Sequence, residues 1–206
     1  MTGGAGFIGS HLARALVKAG HQVRFLDNLS TGSVENLADV LNAIEFVRGD
    51  VRDYGIVESV VRGVDAVVHL AALIDVAESV EKPDLYFDVN VRSTYNVVKA
   101  SKNVSTFVFA SSSAVYGEPV RVPIPEDLPL MPKSPYAASK VSGEAFLQAF
   151  ANQYGFRPVI LRLLIFMAPS SPGPMPASLS SSLGGFLGVS RRSYLTMVSR
   201  LGTSCM

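Results

Sequence analysis

A single cysteine, Cys205, is all the thiol chemistry in this chain. One cysteine closes no internal disulfide, so a stapled secreted scaffold is excluded and a reducing compartment fits. Charge of one sign is missing as well: 18 Lys and Arg stand against 17 Asp and Glu, a net of +1, which offers nucleic acid or an anionic membrane no field to recognise. The most apolar stretch, Pro158 to Ala168, is too short to span a bilayer and carries Arg162. No basic-then-apolar leader and no internal repeat are seen, and no metal site is expected. These absences lead to the expectation of a soluble cytoplasmic protein. What is present is apolar content, 48% of 206 residues, enough to bury one full core and part of a second.

Short β-branched runs alternate with helical periodicity along the chain. Strands are expected at Gln22–Asp27, Ala43–Val47, Val64–Leu70, Ser105–Ala110 and Pro158–Leu163. Helices are expected at Ile8–Ala19, with Ile8, Leu12, Ala15 and Leu16 on one face, around Tyr54–Val61, and at Pro83–Lys102 and Pro135–Tyr154. Strands alternating with helices imply an α/β fold, a doubly wound, Rossmann-like parallel sheet covered on both faces.

Two motifs placed on that frame carry chemistry. The first is Thr2-Gly3-Gly4-Ala5-Gly6-Phe7-Ile8-Gly9 at the first strand-to-helix turn. There Gly3 permits the tight turn, Gly6 lets backbone approach a pyrophosphate, and Gly9 lets the helix pack close. By itself this also fits an ordinary turn. Asp27, ending the next strand, adds a carboxylate able to accept from ribose hydroxyls, although a turn cap is the alternative. Asn28 follows it where a 2′-phosphate site would have Arg or Lys, so NAD is expected over NADP.

The second motif is Tyr136-Ala137-Ala138-Ser139-Lys140. An ammonium one helical turn from a phenol, together with a cationic nicotinamide, favours a phenolate able to take a hydroxyl proton while hydride leaves the same carbon. Ser112, expected just past a strand end, can bond that oxygen. From the residues alone its neighbours Ser111 and Ser113 compete for the place.

Taken together, Thr2–His11, Leu26-Asp27-Asn28-Leu29, Gly49–Asp53, His69-Leu70-Ala71-Ala72, Asn90-Val91, Ser111–Gly117 and Ser134–Lys140 closely resemble the extended short-chain dehydrogenase/reductase family (NAD-dependent epimerase/dehydratase), nearest its UDP-glucose 4-epimerase branch. The resemblance covers residues 1 to about 163. It implies Ser112, Tyr136 and Lys140 as the catalytic set. It implies cofactor contacts from Gly3, Gly6, Phe7, Ile8, Gly9, Asp27, Asn28, Thr31, Gly32, Ser111, Tyr136 and Lys140. Asp50 and Val51 would lie at the adenine, Leu70, Ala71 and Ala72 along the cofactor path, and Asn90 near the nicotinamide half. His69 reads as a strand-end structural residue. Dehydratases of the family carry an acidic pair where this chain has Ser113 and Ala114, which favours 4-epimerisation of a UDP-sugar through a 4-keto intermediate. Other nucleotide-sugar epimerases, decarboxylases and dehydratases, or a non-catalytic NAD-binding remnant, stay open. A homodimer through the two long helices is also implied.

Both ends depart from the resemblance. Only Met1 precedes the glycine motif, where the family has a central strand, so two unpaired sheet edges and an upstream start site are expected. After Leu163 a reading frame shifted by one base permits Asn-Ile-Tyr-Gly-Pro across Leu164–Pro169. It also permits an Asp-Gly-x-Gln-x-Arg-Asp-Phe segment across Thr196–Met206, with glycines forced at Met167/Ala168 and Met197/Val198. The expectation is therefore a dinucleotide-binding domain over 1–163 and a frameshifted tail over 164–206 with no assignable domain. Impaired stability and weak turnover of the chain as written follow from that expectation.

Overall fold

The computed structural model describes residues 1–119 and 123–164. Among them, five strands form where β-branched and aromatic residues cluster: β1 Val23–Asp27, β2 Ile44–Arg48, β3 Ala66–His69, β4 Thr106–Ser112 and β5 Arg157–Leu163. All pair in parallel, β1 with β2 and β3 with β4 with β5. The expected Rossmann-like parallel sheet is thus the architecture found. Strand limits shift by a residue or two, with one consequence for the site: β4 runs on through Ser111 and Ser112, so Ser112 closes the strand and does not follow it.

The two strand groups meet through Met1–Gly3. Thr2 N–H donates to Val68 O at 3.0 Å and Leu70 N–H to Thr2 O at 3.2 Å, while Leu26 N–H donates to Met1 O at 2.9 Å and Gly3 N–H to Leu26 O at 3.1 Å. Three residues therefore bridge β1 and β3 at their carboxyl ends, through isolated bridges at Thr2; the strands remain a two-stranded and a three-stranded sheet, so the expected edges persist along the rest of β1 and β3 and are closed only at the glycine turn. The Met1 ammonium donates to Arg24 O at 2.6 Å. Burial, with Arg24 adding repulsion, pushes its pKa down to about 5.

Helix α1, Phe7–Lys18, buries Gly9, Ser10 and Ala13. The expected face of Ile8, Leu12, Ala15 and Leu16 is corrected: Ala15 is exposed and the other three are half-buried. A helix pressed onto a glycine turn buries its smallest residues first. Helix α2, Tyr54–Val61, has the limits expected, its N-terminus capped by the Asp53 side chain on Gly55 N and Ile56 N. A short helix α3, Val76–Glu81, is an element the periodicity does not signal.

The expected single helix Pro83–Lys102 is three pieces: α4 Pro83–Tyr86, a wider π-type turn Phe87–Arg92, and α5 Ser93–Ala100. At the end of the turn, Ser93 and Thr94 hydroxyls bond back to Val89 O and Asn90 O, a pattern that loosens regular α-helical winding. Helix α6, Pro135–Tyr154, matches its expected limits, with Ser134 capping Ala137 N and Gly155 closing it in the left-handed region at φ 78°.

Two apolar clusters form the core. One gathers Leu26, Val57, Val97, Val98, Phe107, Phe109 and Leu147 between strands and helices α2, α5 and α6; the other gathers Ala5, Ala13, Val23, Phe25 and Leu37 beside α1. Each large side chain fully buried this way contributes about 1.5–3 kcal/mol.

Candidate active site

The glycine turn is fixed by contacts that admit no side chain. Gly3 sits at φ +69°, and a Cβ there would lie 2.7 Å from Ala71 N; a Cβ on Gly9 would collide with Gly3 O. The turn is pressed against the loop after β3 on one side and against α1 on the other. Helix α1 starts at Gly6 with no side-chain cap and no acidic residue in its first turn. No carboxylate of its own first turn therefore caps the positive helix end, and of the turn's backbone donors Ala5 N–H is taken by Asp27 while the helix end stays uncapped, which fits the pyrophosphate of a dinucleotide.

Asp27 is buried at the end of β1, its Oδ2 accepting Ala5 N–H at 2.9 Å and its Oδ1 accepting Leu29 N–H at 2.8 Å. It therefore holds the turn together, as the cap reading allowed, and each oxygen keeps a lone pair for a ribose hydroxyl. Asn28 donates to Asp50 Oδ2 at 3.0 Å, and Arg52 forks onto the same carboxylate at 2.7 and 2.9 Å. The Arg52 side chain, with Asn28 assisting, pulls the Asp50 carboxyl down to about 2.

Gly32 packs on Ala5, where a Cβ would meet Ala5 C at 2.7 Å. Thr31 and Phe7 are exposed, and Ile8 is half-buried. Val51 turns its side chain into the core, so its reach toward a ligand is through backbone alone.

On the far side, Asn90 is buried and grips the loop after β3 twice: Leu73 N–H donates to Asn90 Oδ1 at 2.8 Å and Asn90 Nδ2 donates to Leu73 O at 3.0 Å. The same Nδ2 reaches Ser139 Oγ at 3.0 Å, beside Lys140. The loop Leu70–Leu73, half-buried throughout, thereby joins the glycine turn to the helix that bears the acid/base pair.

Ser112, Tyr136 and Lys140 converge at the end of β4. Ser112 lies close enough to the Tyr136 side chain to pull its phenol's pKa down, while burial pushes it up by more. Lys140 is buried, its Nζ donating to Ala110 O at 2.9 Å and lying 5.9 Å from the Tyr136 ring centre. Burial pushes its pKa down to about 8. The expectation that the ammonium lowers the phenol is thus not met in this geometry, where the ammonium turns to a backbone carbonyl and desolvation dominates.

Ser111 faces the other way. Its hydroxyl donates to Glu144 Oε1 at 2.5 Å, and Arg162 clasps Glu144 at 2.7 and 3.0 Å while reaching Tyr116 Oη at 2.7 Å. The hydroxyl of Ser111 is therefore committed to this buried pair, leaving Ser112 alone of the two on the Tyr136 side. Glu144 is a residue that sequence reasoning missed, although it lies one helical turn past Lys140 on a buried face. The paired Glu144 carboxylate raises the Arg162 pKa.

The model of the NAD dependent epimerase/dehydratase family matches residues 1–183. The chain belongs to this family. A UDP-glucose 4-epimerase of Streptomyces lividans is 43% identical over 160 residues, 75% of this chain and 48% of that protein. Among solved structures, UDP-glucose 4-epimerase of Thermus thermophilus in complex with NAD aligns with TM-score 0.73 at 44% identity, covering 78% of this chain and 53% of that one. A dTDP-glucose 4,6-dehydratase of Streptomyces venezuelae, with NAD bound, aligns with TM-score 0.73 at 37% identity over 78% of this chain and 53% of its own. The chain spans about half the length of the curated relatives it matches. As a member of an NAD-dependent family, it has the glycine turn and the Tyr136–Lys140 helix in one connected site. Among the described residues no helix is long and apolar enough to cross a membrane, and no cluster of His, Cys, Asp or Glu could hold a metal ion.

Proposed function

We propose that this chain binds NAD across the glycine turn and carries the acid/base set of a nucleotide-sugar 4-epimerase acting on UDP-glucose and UDP-galactose. The observation that carries the reading is the convergence of Ser112, Tyr136 and buried Lys140 at the end of β4, joined by Asn90 and Leu73 to an uncapped glycine turn. NAD, held by the glycine turn and Asp27, would supply hydride uptake and return at the sugar C4. Tyr136, as phenolate, takes the proton of the 4-hydroxyl, and Ser112 donates to the same sugar oxygen and steadies it while the carbon is a ketone. Lys140, whose Nζ is anchored on Ala110 O and lies 5.9 Å from the Tyr136 ring centre, keeps two further N–H donors that would turn to the phenolate once substrate and cofactor are bound. Tyr136 then gives the proton back to the C4 oxygen.

The neighbouring positions support epimerisation over elimination: Ser113 and Ala114 provide no acid to protonate a leaving hydroxyl. Asp27, followed by Asn28 and not by Arg or Lys, supports NAD over NADP, the nearby Arg52 being engaged by Asp50. A groove lined by Phe87, Val91, Ala145, Phe146 and Ala149 on the outer face of the π turn and α6, with Phe87 54% exposed, suits a second copy of the chain and supports the homodimer. The single cysteine supports a cytoplasmic setting. Tail residues 165–206 lie outside the described residues, and the frameshift proposed for them rests on the codon argument.

The test is to incubate the protein with UDP-galactose and NAD and follow the sugar nucleotides by proton NMR. UDP-glucose formed without stoichiometric NADH supports the reading. A 4-keto-6-deoxy sugar identifies a dehydratase and overturns it.

A further inference from the structure

His69 is fully buried, lies outside the acid/base set, and sits in an unbroken chain of polar contacts. Thr2 Oγ1 is 2.6 Å from His69 Nδ1, and His69 Nε2 is 3.0 Å from Thr94 Oγ1. At the outer ends, Ala71 N–H donates to Thr2 Oγ1 at 3.3 Å and Thr94 Oγ1 donates to Asn90 O at 2.6 Å. The donors fix the direction. Because the single Thr94 hydrogen goes to Asn90 O, Nε2 must carry a hydrogen and give it to Thr94. In the neutral ring Nδ1 is then bare and accepts from Thr2, whose oxygen meanwhile accepts from Ala71. Neutrality follows from burial beside Lys140 and the Met1 ammonium, which together push the imidazole down to about 3.

Both ends of this chain of contacts seize the same loop. Thr2 holds Ala71, and Asn90, whose carbonyl takes the Thr94 hydrogen, holds Leu73 through its side chain. The ring stacks on Phe109 at 5.8 Å between centres, so it has no freedom to swing away from either threonine.

We propose that His69, as the Nε2–H tautomer, is a positioning residue that couples the two clamps on Leu70–Leu73 and so sets where that loop stands against the glycine turn and α6. Its consequence for ligand affinity rests on the NAD reading above; its consequence for the loop does not. A purely space-filling histidine would leave the clamps independent of each other.

The experiment combines NMR with two variants. In wild-type protein, nitrogen-15 spectra of His69 should show a protonated Nε2 and a bare Nδ1. Thr94→Val leaves His69 and Thr2 in place, yet it should speed amide exchange at Ala71, beyond its own contacts, by about tenfold, the scale of one lost hydrogen bond. His69→Phe preserves the stack and should speed exchange at Ala71 and Leu73 together, with NAD affinity reduced by about tenfold. An Nδ1–H tautomer, or unchanged exchange at Ala71 in Thr94→Val, overturns the proposal. Should His69→Phe fail to fold, the tautomer and Thr94→Val decide. Wild-type protein that binds no NAD removes the cofactor reading, while the exchange data still judge the loop coupling.

Discussion

At the residue scale, Tyr136 makes the sharpest statement about chemistry. Burial holds its phenol above the ordinary value, and Ser112 only partly offsets this, so the free protein stores the proton and the phenolate awaits a cation in the cofactor site. An ultraviolet titration of wild type against Tyr136→Phe should show Tyr136 ionising above its ordinary range without NAD and at lower pH with it; ionisation near neutrality in the free protein would contradict this account. Gly3 makes the complementary statement about shape. Gly3→Ala combines a left-handed φ with a Cβ 2.7 Å from Ala71 N, and should cost about 1–3 kcal/mol in a urea melt while weakening NAD.

The shared helix face of Tyr136 and Lys140 was legible from a short spacing, whereas Ser112 was set apart from Ser111 and Ser113 only by the family resemblance. Thr2, Thr94, Ser139 and Glu144 were not legible, since each acts through a partner distant in sequence. A threonine in a glycine motif gives no sign of the histidine it will meet across the sheet.

At the element scale, β4 and α6 are locked by Glu144, Arg162 and Ser111. Glu144 is 3% exposed and Arg162 23% by side chain, so removing one charge strands the other. Glu144→Ala should destabilise by about 3–5 kcal/mol, with Glu144→Gln milder; a chemical denaturation difference below about 1 kcal/mol would mean that the pair does not hold the strand end.

The end of β3 carries a pH dependence. The folded His69 pKa of about 3 lies below its ordinary value of 6.5, so the unfolded chain binds a proton that the folded chain refuses. The histidine contribution to stability is therefore intact above pH 6.5 and lost progressively as pH falls from 6.5 to about 3. Melts of wild type and His69→Phe should diverge above that window and converge through it. Parallel slopes would place the acid sensitivity elsewhere.

Element positions were largely readable. α2 and α6 matched because a cap and an apolar period agree at both. The π turn was hidden, because the Ser93 and Thr94 hydroxyls that bond back to Val89 O and Asn90 O leave no mark on the apolar periodicity. The buried face of α1 was misjudged for a related reason: closeness to the glycine turn, not hydrophobicity, decides which side is covered.

At the scale of the whole molecule, the parallel sheet puts the glycine turn, the Leu70–Leu73 loop and the ends of β4 and α6 along one connected rim. The alternation of strand and helix made this arrangement legible, whereas the bridging of β1 and β3 by Met1–Gly3 is visible only in three dimensions. The exposed apolar groove at Phe87, Val91 and Phe146 belongs to this scale too. Sedimentation should show a dimer that Phe146→Glu converts to monomer; a wild-type monomer at high concentration would refute the pairing.

The central claim is that this rim is an NAD site, and isothermal titration with NAD and NADP tests it most directly. The account predicts saturable binding of one NAD per chain, tighter than NADP and weakened by Gly3→Ala. Absence of NAD binding by folded protein, or a preference for NADP, would contradict it.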